Sequence, residues 1–541
     1  MRQDQPPDIK AFIEEIFISK SPLNKYHLLN ELKTKGIENC TTSDINRVLY
    51  GHRNVFEHDG QSLPNWRLKA GVLVGRQDQT YLSYHAPDKT FYQGHPPRSW
   101  QTEALSAWIS QGKRGVIEAV TGTGKSLVGI LAAADALSRR LKVLIVVPGI
   151  ELQKQWHDNI KKYLPSVSAG LYGNGNKVTF TEVEVVVATV QSARKIPMLP
   201  PQLEGLIIAD EVHRYGTEKY ALAFENQFDE RLGLTATYER NDNGLEVYVT
   251  PYFGPIRPGY ETKTVIPGCD YARGLHDGIL APFRVGLLGV PFADEEEEQY
   301  ERLEKSLSKM RADLIYLHGC QSEPFGEFIR DVQRLSEGGH QNTFGTITAR
   351  NYLKKFKDRK DLLANSQFKM RTFRQLIPMI SAANKCLVFT GLIPTAKIIA
   401  SMIQKQKVAA AAFSSELSQE ERTYYMNEFR SGNIKVLAAP SVLDEGIDVP
   451  EAELGIILSA NHSRRQMIQR MGRIIRPKKD GRPATFFILF IQNTSEDPAS
   501  GAHDSFLTEM YDHAAELRDF GNSYDASEFL DWYIDGKLGN Y

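Results

Sequence analysis

At 541 residues the chain is long enough for several domains, because single hydrophobic cores stop growing well below this length. Lys+Arg 65 against Asp+Glu 66 leaves a formal net charge of -1, so a nucleic-acid partner cannot be argued from a global field and would need local basic tracks. Cys40, Cys269, Cys320 and Cys386 are isolated from one another, which argues against structural zinc and against a disulfide framework. No apolar run approaches membrane-spanning length, and Met1-Arg2-Gln3-Asp4-Gln5 begins no secretory signal; a reduced, cytoplasmic protein with no membrane partner is expected.

Residues 1–70 read as a small separate domain. Tyr26, Leu28, Leu29 and Leu32 recur at helical spacing, and Thr42-Ser43-Asp44 offers an N-cap before Ile45, Val48 and Leu49. Val55 to Gly60 and Leu63 to Leu68 read as a turn-linked pair of short strands. Helices followed by a hairpin suggest a winged helix-turn-helix. Ile45-Asn46-Arg47-Val48-Leu49-Tyr50 with Pro64-Asn65-Trp66 resembles the Zα family of winged helices, which implies a nucleic-acid contact surface at Asn46, Tyr50 and Trp66. Thr42 stands where that family usually has a basic residue. A winged helix used for protein contacts, with Tyr50 and Trp66 in its own core, is the competing reading.

Residues 71–97 read as a linker ending in Gly94-His95-Pro96-Pro97, since Pro-Pro disfavours regular structure. An amphipathic helix opens at Arg98-Ser99-Trp100-Gln101. Arg114 to Ile117 then reads as a short buried strand and Leu127 to Leu137 as an Ala- and Leu-rich helix, and Glu118-Ala119-Val120-Thr121-Gly122-Thr123-Gly124-Lys125-Ser126 lies between them. A strand, a glycine loop and a helix opening on Gly-Lys-Ser is the P-loop arrangement. Its glycines let backbone N–H groups turn inward around phosphate oxygens at a helix N-terminus that favours anions. Lys125 is placed to reach the β- and γ-phosphates of ATP, and Ser126 to hold Mg²⁺.

Apolar runs at 143–148, 184–189, 206–209 and 232–234 alternate with helical segments, which implies a doubly wound parallel α/β sheet over residues 98–255. Its ligand is expected at the carboxyl ends of the strands, where Asp210-Glu211-Val212-His213 and Thr235-Ala236-Thr237 fall. Residues 256–380 read as a connector and helical accessory region. The acidic run at 293–298 suits a solvated helix start. The basic cluster from Lys354 to Lys360 could track a phosphate backbone or be a solvated helix face. A second α/β unit over 381–495 carries no second P-loop, and the tail at 496–541 reads as helical, over Phe506 to Phe520 and Ser527 to Ile534.

An acidic pair at a strand tip is the partner a P-loop requires: Asp210 for Mg²⁺, Glu211 for the attacking water. Arg473 and Arg476, three apart on a predicted helix of the second unit, share a face and are placed to stabilise charge on the γ-phosphate oxygens.

Taken together these residues resemble the superfamily 2 helicases of the DEAD/DEAH-box branch, close to XPB-like and restriction-type translocases, over roughly residues 98 to 495. The resemblance implies two tandem RecA-like domains. Arg98 and Gln101 fit the adenine-reading position, and Thr121, Gly122, Thr123, Gly124, Lys125 and Ser126 fit motif I. Asp210 to His213 fit motif II in its DExH form, and Thr235 and Thr237 the coupling motif III. Gly446 and Asp448 in motif V would face the nucleotide, with Gln469, Arg473 and Arg476 in motif VI at the γ-phosphate. The strand-gripping positions fall on Pro148, Gly149, Thr189, Gln191, Thr390 and Gly391. Tyr238 replaces the proline usual after motif III, and Arg240-Asn241-Asp242 stands where XPB proper has Arg-Glu-Asp.

The expected function is that of an ATP- and Mg²⁺-dependent DNA helicase or translocase, acting in repair, recombination, replication or phage-related DNA processing. Its DNA is single- or double-stranded, with a non-B duplex possible at the N-terminal domain. The alternatives are an RNA helicase and an ATP-timed nucleic-acid sensor that does not translocate. The chain holds no nuclease motif, so cleavage would need a nuclease or other repair or defence partner protein.

Overall fold

The computed structural model describes residues 91–240, 242–254, 263–338, 343–440, 452–458, 481–500, 513–521 and 523–538, with 474 and 478; before 91 it describes 13, 16, 23–34, 45, 49, 56–58 and 65–68. Met1–Ser83 and Tyr84–Tyr541 are two compact units. In the first, β1 (Leu23–Asn24) leads directly into α1 (Lys25–Thr34), and β2 (Phe56–His58) and β3 (Asn65–Leu68) form the expected hairpin. The sheet is antiparallel in the order β1-β3-β2, and Trp66 pairs with both Leu23 and His58. Leu28 and Leu32 are buried, as the spacing on α1 predicts, together with Ile45 and Leu49.

The first sheet of the larger unit is built from β4 (Arg114–Glu118), β5 (Lys142–Val147), β6 (Ala169–Gly173), β7 (Asn176–Lys177), β8 (Val185–Thr189), β9 (Gly205–Asp210), β10 (Glu230–Thr235) and β11 (Val265–Pro267). Their spatial order is β11-β4-β10-β9-β5-β8-β6-β7, parallel except for the short β7 on β6. Strands such as β5 and β9 are apolar on both faces, over Val143 to Val147 and Leu206 to Ala209, because both faces of the sheet are covered. The helices α2 (Ser99–Ser110), α3 (Lys125–Ser138) and α4 (Ile150–Tyr163) supply one cover. Almost every residue of α3 from Val128 onward is buried, which is why it reads Ala- and Leu-rich instead of amphipathic.

The second sheet comprises β12 (Phe283–Val290), β13 (Cys386–Phe389), β14 (Ala410–Ala412), β15 (Val436–Ala439), β16 (Leu454–Ile457), β17 (Ala484–Ile491) and β18 (Glu516–Asp519), all parallel in the order β14-β15-β13-β16-β17-β12-β18. Two of these strands fall outside residues 381–495. β12 pairs with β17 over its full length although an excursion through the accessory region separates it from β13. β18 lies within the stretch Phe506 to Phe520, where the pattern suggested one helix; of its described residues His513 is helical, but Glu516–Asp519 is extended and pairs with β12. A four-residue edge strand is too short for a period-2 signal to outweigh helix-forming neighbours. The helix expected over Ser527 to Ile534 does form, within Ala526–Leu538.

Between β12 and β13 the chain makes α5 (Asp294–Tyr316), α6 (Phe325–Glu337) and α7 (Phe344–Asn365), which pack around Leu307, Leu314, Phe328, Val332, Ala349 and Tyr352. The acidic run forms the first turn of α5. The basic cluster lies on α7, and Arg359 there is turned inward, donating to Glu304 of α5 at 2.6 Å. In the second domain α8 (Ile393–Gln404) covers the sheet, and α9 (Ala526–Leu538) closes it, Arg284 donating to the Trp532 carbonyl at 2.6 Å.

Candidate active site

Strand order brings three of the motifs together. β4 ends at Glu118 and runs into the P-loop; β10, its neighbour, ends at Thr235 opposite Glu118; β9, next again, ends at Asp210 opposite Leu234. One sheet edge therefore presents the P-loop, Thr235 to Thr237 and the acidic pair side by side, at the carboxyl ends where parallel sheets bind ligands.

The loop is held from within and from α2. Gly122 and Gly124 take φ of 93° and 98°, a left-handed region that favours glycine, and Gly124 is the N-cap of α3. A Cβ on Gly124 would lie 2.9 Å from Gln101 Nε2. Gln101 Nε2 donates to the Gly124 carbonyl at 3.0 Å, and Arg98 Nη1 donates to the Thr123 carbonyl at 2.8 Å. Gln101 Oε1 in turn accepts from the Arg98 amide at 2.8 Å, closing the start of α2. Thr123 Oγ1 donates to Val120 O at 2.7 Å, and Lys125 Nζ to Ala119 O at 2.7 Å.

Asp210 is buried, and its Oδ2 accepts from the indole Nε1 of Trp156 on α4 at 2.7 Å. Burial and the neighbouring Glu211 push its carboxyl up to about 6, against the opposing pull of Trp156 and Lys125. Glu211 sits at φ 51°, an uncommon conformation for a side-chain-bearing residue, and its amide donates to Asp210 Oδ1 at 3.0 Å. His213 Nδ1 lies 2.8 Å from Thr235 Oγ1. That hydroxyl gives its single proton to Thr237 O at 2.7 Å, so the histidine is the donor in the pair. His213 Nδ1 is also 3.6 Å from Glu211 Oε2, which links the acidic pair to the Thr235–Thr237 turn.

The donor set fits a Mg²⁺-bound nucleoside triphosphate. The loop offers backbone amides at the start of a 14-residue helix, with an ammonium and two hydroxyls beside them and carboxylates on the adjoining strand. Thr121 Oγ1 is buried without a hydrogen-bond partner, a polar group whose desolvation a phosphate oxygen would offset.

The six positions expected to grip a strand also lie at or just after carboxyl ends, but elsewhere. Pro148-Gly149 follows β5, and Thr189 ends the adjacent β8, its Oγ1 donating to Ser192 Oγ at 3.0 Å. Gln191 Nε2 donates to Pro148 O at 3.0 Å, joining the two loops. Thr390-Gly391 follows β13, an inner strand of the second sheet, and Thr390 Oγ1 donates to Leu392 O at 3.0 Å. Gly446, Asp448, Gln469, Arg473 and Arg476, like Asn46 and Tyr50, lie outside the described residues; Trp66 is placed only as part of β3.

Trp156 and Glu118 escaped the sequence reading. Trp156 shows in sequence only as one apolar position of α4, with Leu152 and Ile160, and nothing marks its indole N–H. Glu118 Oε1 accepts from the Tyr238 amide at 2.8 Å, tying the P-loop strand to the residue after Thr237.

Two parallel sheets, one carrying a P-loop beside an acidic pair, define a nucleoside-triphosphate-driven motor of the RecA-like helicase class. The fold agrees: S. cerevisiae Dbp5, solved bound to RNA and ADP BeF3, superposes with a TM-score of 0.52 at 12% identity, covering 82% of this chain and 94% of that one. Residues 94–240 match the family described as the type III restriction enzyme res subunit, and residues 368–478 match the helicase conserved C-terminal domain. The DNA 3'-5' translocase XPB2 of Sulfurisphaera tokodaii is 30% identical over 384 residues, 70% of this chain and 79% of that protein. The DNA 3'-5' helicase XPB of Kineococcus radiotolerans is 27% identical over 436 residues, 76% of this chain and 63% of that protein. The chain belongs to the XPB-like family of superfamily 2 helicases. Among the described residues no helix is long and apolar enough to cross a membrane.

Proposed function

We propose that this chain is an ATP-driven DNA motor that moves 3'-5' along, or unwinds, DNA. The observation that carries the reading is the juxtaposition of the P-loop, Thr235–Thr237 and Asp210-Glu211 on three neighbouring strands. Lys125 and the loop amides bind the β- and γ-phosphates, and Ser126 and Asp210 hold Mg²⁺. Held there, Mg²⁺ would supply charge neutralisation at the phosphate oxygens. Glu211 orients the attacking water and takes its proton. Gln469, Arg473 and Arg476 approach from the second domain and stabilise charge on the γ-phosphate oxygens, with Gly446 and Asp448 facing the nucleotide. His213 relays the state of the acidic pair to Thr235 and Thr237.

Pro148, Gly149, Thr189 and Gln191 on one sheet and Thr390 and Gly391 on the other grip one strand by its backbone, which carries no base specificity. The N-terminal unit acts as a winged helix that anchors the substrate through Asn46, Tyr50 and Trp66.

The test is ATP turnover with no nucleic acid, single-stranded DNA, duplex DNA or RNA, with Lys125→Ala as control. Stimulation by DNA that the variant loses supports the motor. Stimulation by RNA alone overturns the DNA reading, and turnover indifferent to every nucleic acid replaces the motor with a partner-gated timer.

A further inference from the structure

The accessory helices ride on the second domain. Their base packs on the ends of β12 and β17 through Val290, Phe292, Tyr300, Leu363 and Ile491, and Ser495 N donates to Tyr300 Oη at 3.0 Å. On α6, however, the same module reaches the first domain: Arg330 Nη2 donates to Asp242 Oδ2 at 2.9 Å.

Asp242 is where four donors converge. Arg240 Nε and Nη2 hold its two oxygens at 2.6 Å each, the Gly244 amide adds a bond of 3.0 Å, and Arg330 completes the set. Arg240 has a further contact, Nη1 donating to the His213 carbonyl at 2.8 Å. From His213 the connection continues to Thr235 Oγ1 and to Glu211, as described above. On the other side, Arg330 Nη1 bonds both carboxylate oxygens of the buried Glu327 at 2.8 Å, which aims the guanidinium at Asp242. A chain of contacts thus runs from a helix carried by the second domain to the acidic pair of the first: charge-assisted bonds as far as the His213 carbonyl, then the His213 side chain to Thr235 Oγ1 and, at 3.6 Å, beside Glu211 Oε2.

We propose that Arg330 and Asp242 form an interdomain latch, with Arg330 a positioning residue that ties movement of the accessory module to the His213–Thr235 coupling. The inference rests on the motor reading above. Chemistry favours a latch over a structural staple. Arg330 is 39% exposed at its side chain, so an isolated pair there adds little to stability, but it spans two bodies that must move relative to each other. Removing Arg330 leaves the bidentate Arg240–Asp242 pair and the His213 contact in place, so the acidic pair keeps its geometry while its connection to the second domain is cut.

The experiment compares Arg330→Ala, Arg330→Lys, Asp242→Asn and the double variant Arg330→Ala with Asp242→Asn in the full chain. In Arg330→Ala the ratio of DNA-stimulated to basal ATP turnover is expected to fall about fivefold, within the range that a single ion pair can supply. Arg330→Lys, which keeps a donor, restores most of it, and Arg330→Ala adds nothing once Asp242 is Asn. An unchanged ratio, or fully additive effects, overturns the latch. A second readout is independent of turnover: dyes at Lys177→Cys and Glu337→Cys report the separation of module and first domain. The latch requires that the distribution widen in Arg330→Ala, and an identical distribution overturns it. If wild-type turnover ignores nucleic acid, the motor reading fails, and the dye measurement alone judges the latch.

Discussion

The Trp156 indole donates to the inner oxygen of Asp210 at 2.7 Å, so a helix that follows β5 supports the carboxylate that ends β9. This bond favours the charged form of an otherwise desolvated acid, and with Lys125 it keeps the carboxyl from rising beyond about 6.

Trp156→Phe removes that donor while keeping most of the ring volume. The Asp210 carboxyl then rises further, so a proton competes with Mg²⁺ over more of the neutral range. The acid limb of the kcat/KM profile for ATP is expected to move to higher pH, with roughly tenfold lower activity near the wild-type midpoint, the scale of a hydrogen bond to a charged group. Rate profiles at saturating and low Mg²⁺ check this; an unmoved limb would show that Trp156 only packs.

Gly129 on α3 makes room for that indole. An added Cβ would lie 2.6 Å from Trp156 Cη2 and 3.2 Å from Leu234 Cδ1. Helix propensity alone would reward Gly129→Ala by about 1 kcal/mol. Overpacking of a filled interior, about 1–3 kcal/mol, outweighs it. The variant is expected to unfold at lower temperature than wild type and to lose part of its turnover, because the ring that must shift is the one bonded to Asp210. Calorimetry with a parallel ATP assay reads both.

Gln101→Ala removes the bond to the Gly124 carbonyl and the cap on the Arg98 amide together. The P-loop loses an outside support, so KM for ATP is expected to rise about tenfold with a smaller change in kcat, the pattern of lost binding. Steady-state kinetics separate the two parameters.

Glu453 ties the second sheet to the last helix. Its carboxylate accepts from Tyr533 Oη at 2.7 Å and the Asn384 amide at 2.6 Å, and pairs with Arg482 at 2.9 Å and Lys537 at 3.1 Å. Burial opposes ionisation, but these partners, Tyr533 first, hold the carboxyl below its usual range. A depressed folded value stabilises the fold above the unfolded carboxylate range, and that contribution is lost as pH falls through the folded value. Glu453→Gln is therefore expected to cost about 3 kcal/mol at neutral pH and less in acid, read from urea unfolding at several pH values.

The helicase motifs were legible because each is a local exception to its surroundings. Glycines, a lysine and carboxylates interrupt apolar runs at strand ends, and the apolar runs themselves mark a doubly covered parallel sheet. β18 and the place of β12 were not legible, since pairing between strands far apart in the chain leaves no local trace. Nor was Trp156, whose apolar position looks like any core contact until its N–H has a partner.

By itself, then, the sequence determined which chemical groups exist and that each lies at or just beyond the end of a strand. Gly124, Lys125, Asp210 and Thr235 are set by local periodicity and composition, which operate over a few residues. Only the tertiary structure decided which of those ends are neighbours. The order β4-β10-β9 gathers the nucleotide groups, while β5 and β8 carry Pro148 and Thr189 away to one side. Arg330 reaches Asp242 across 88 residues of chain. Such contacts are fixed by crossover topology and packing, free energies that belong to the assembled fold and to no stretch of it alone.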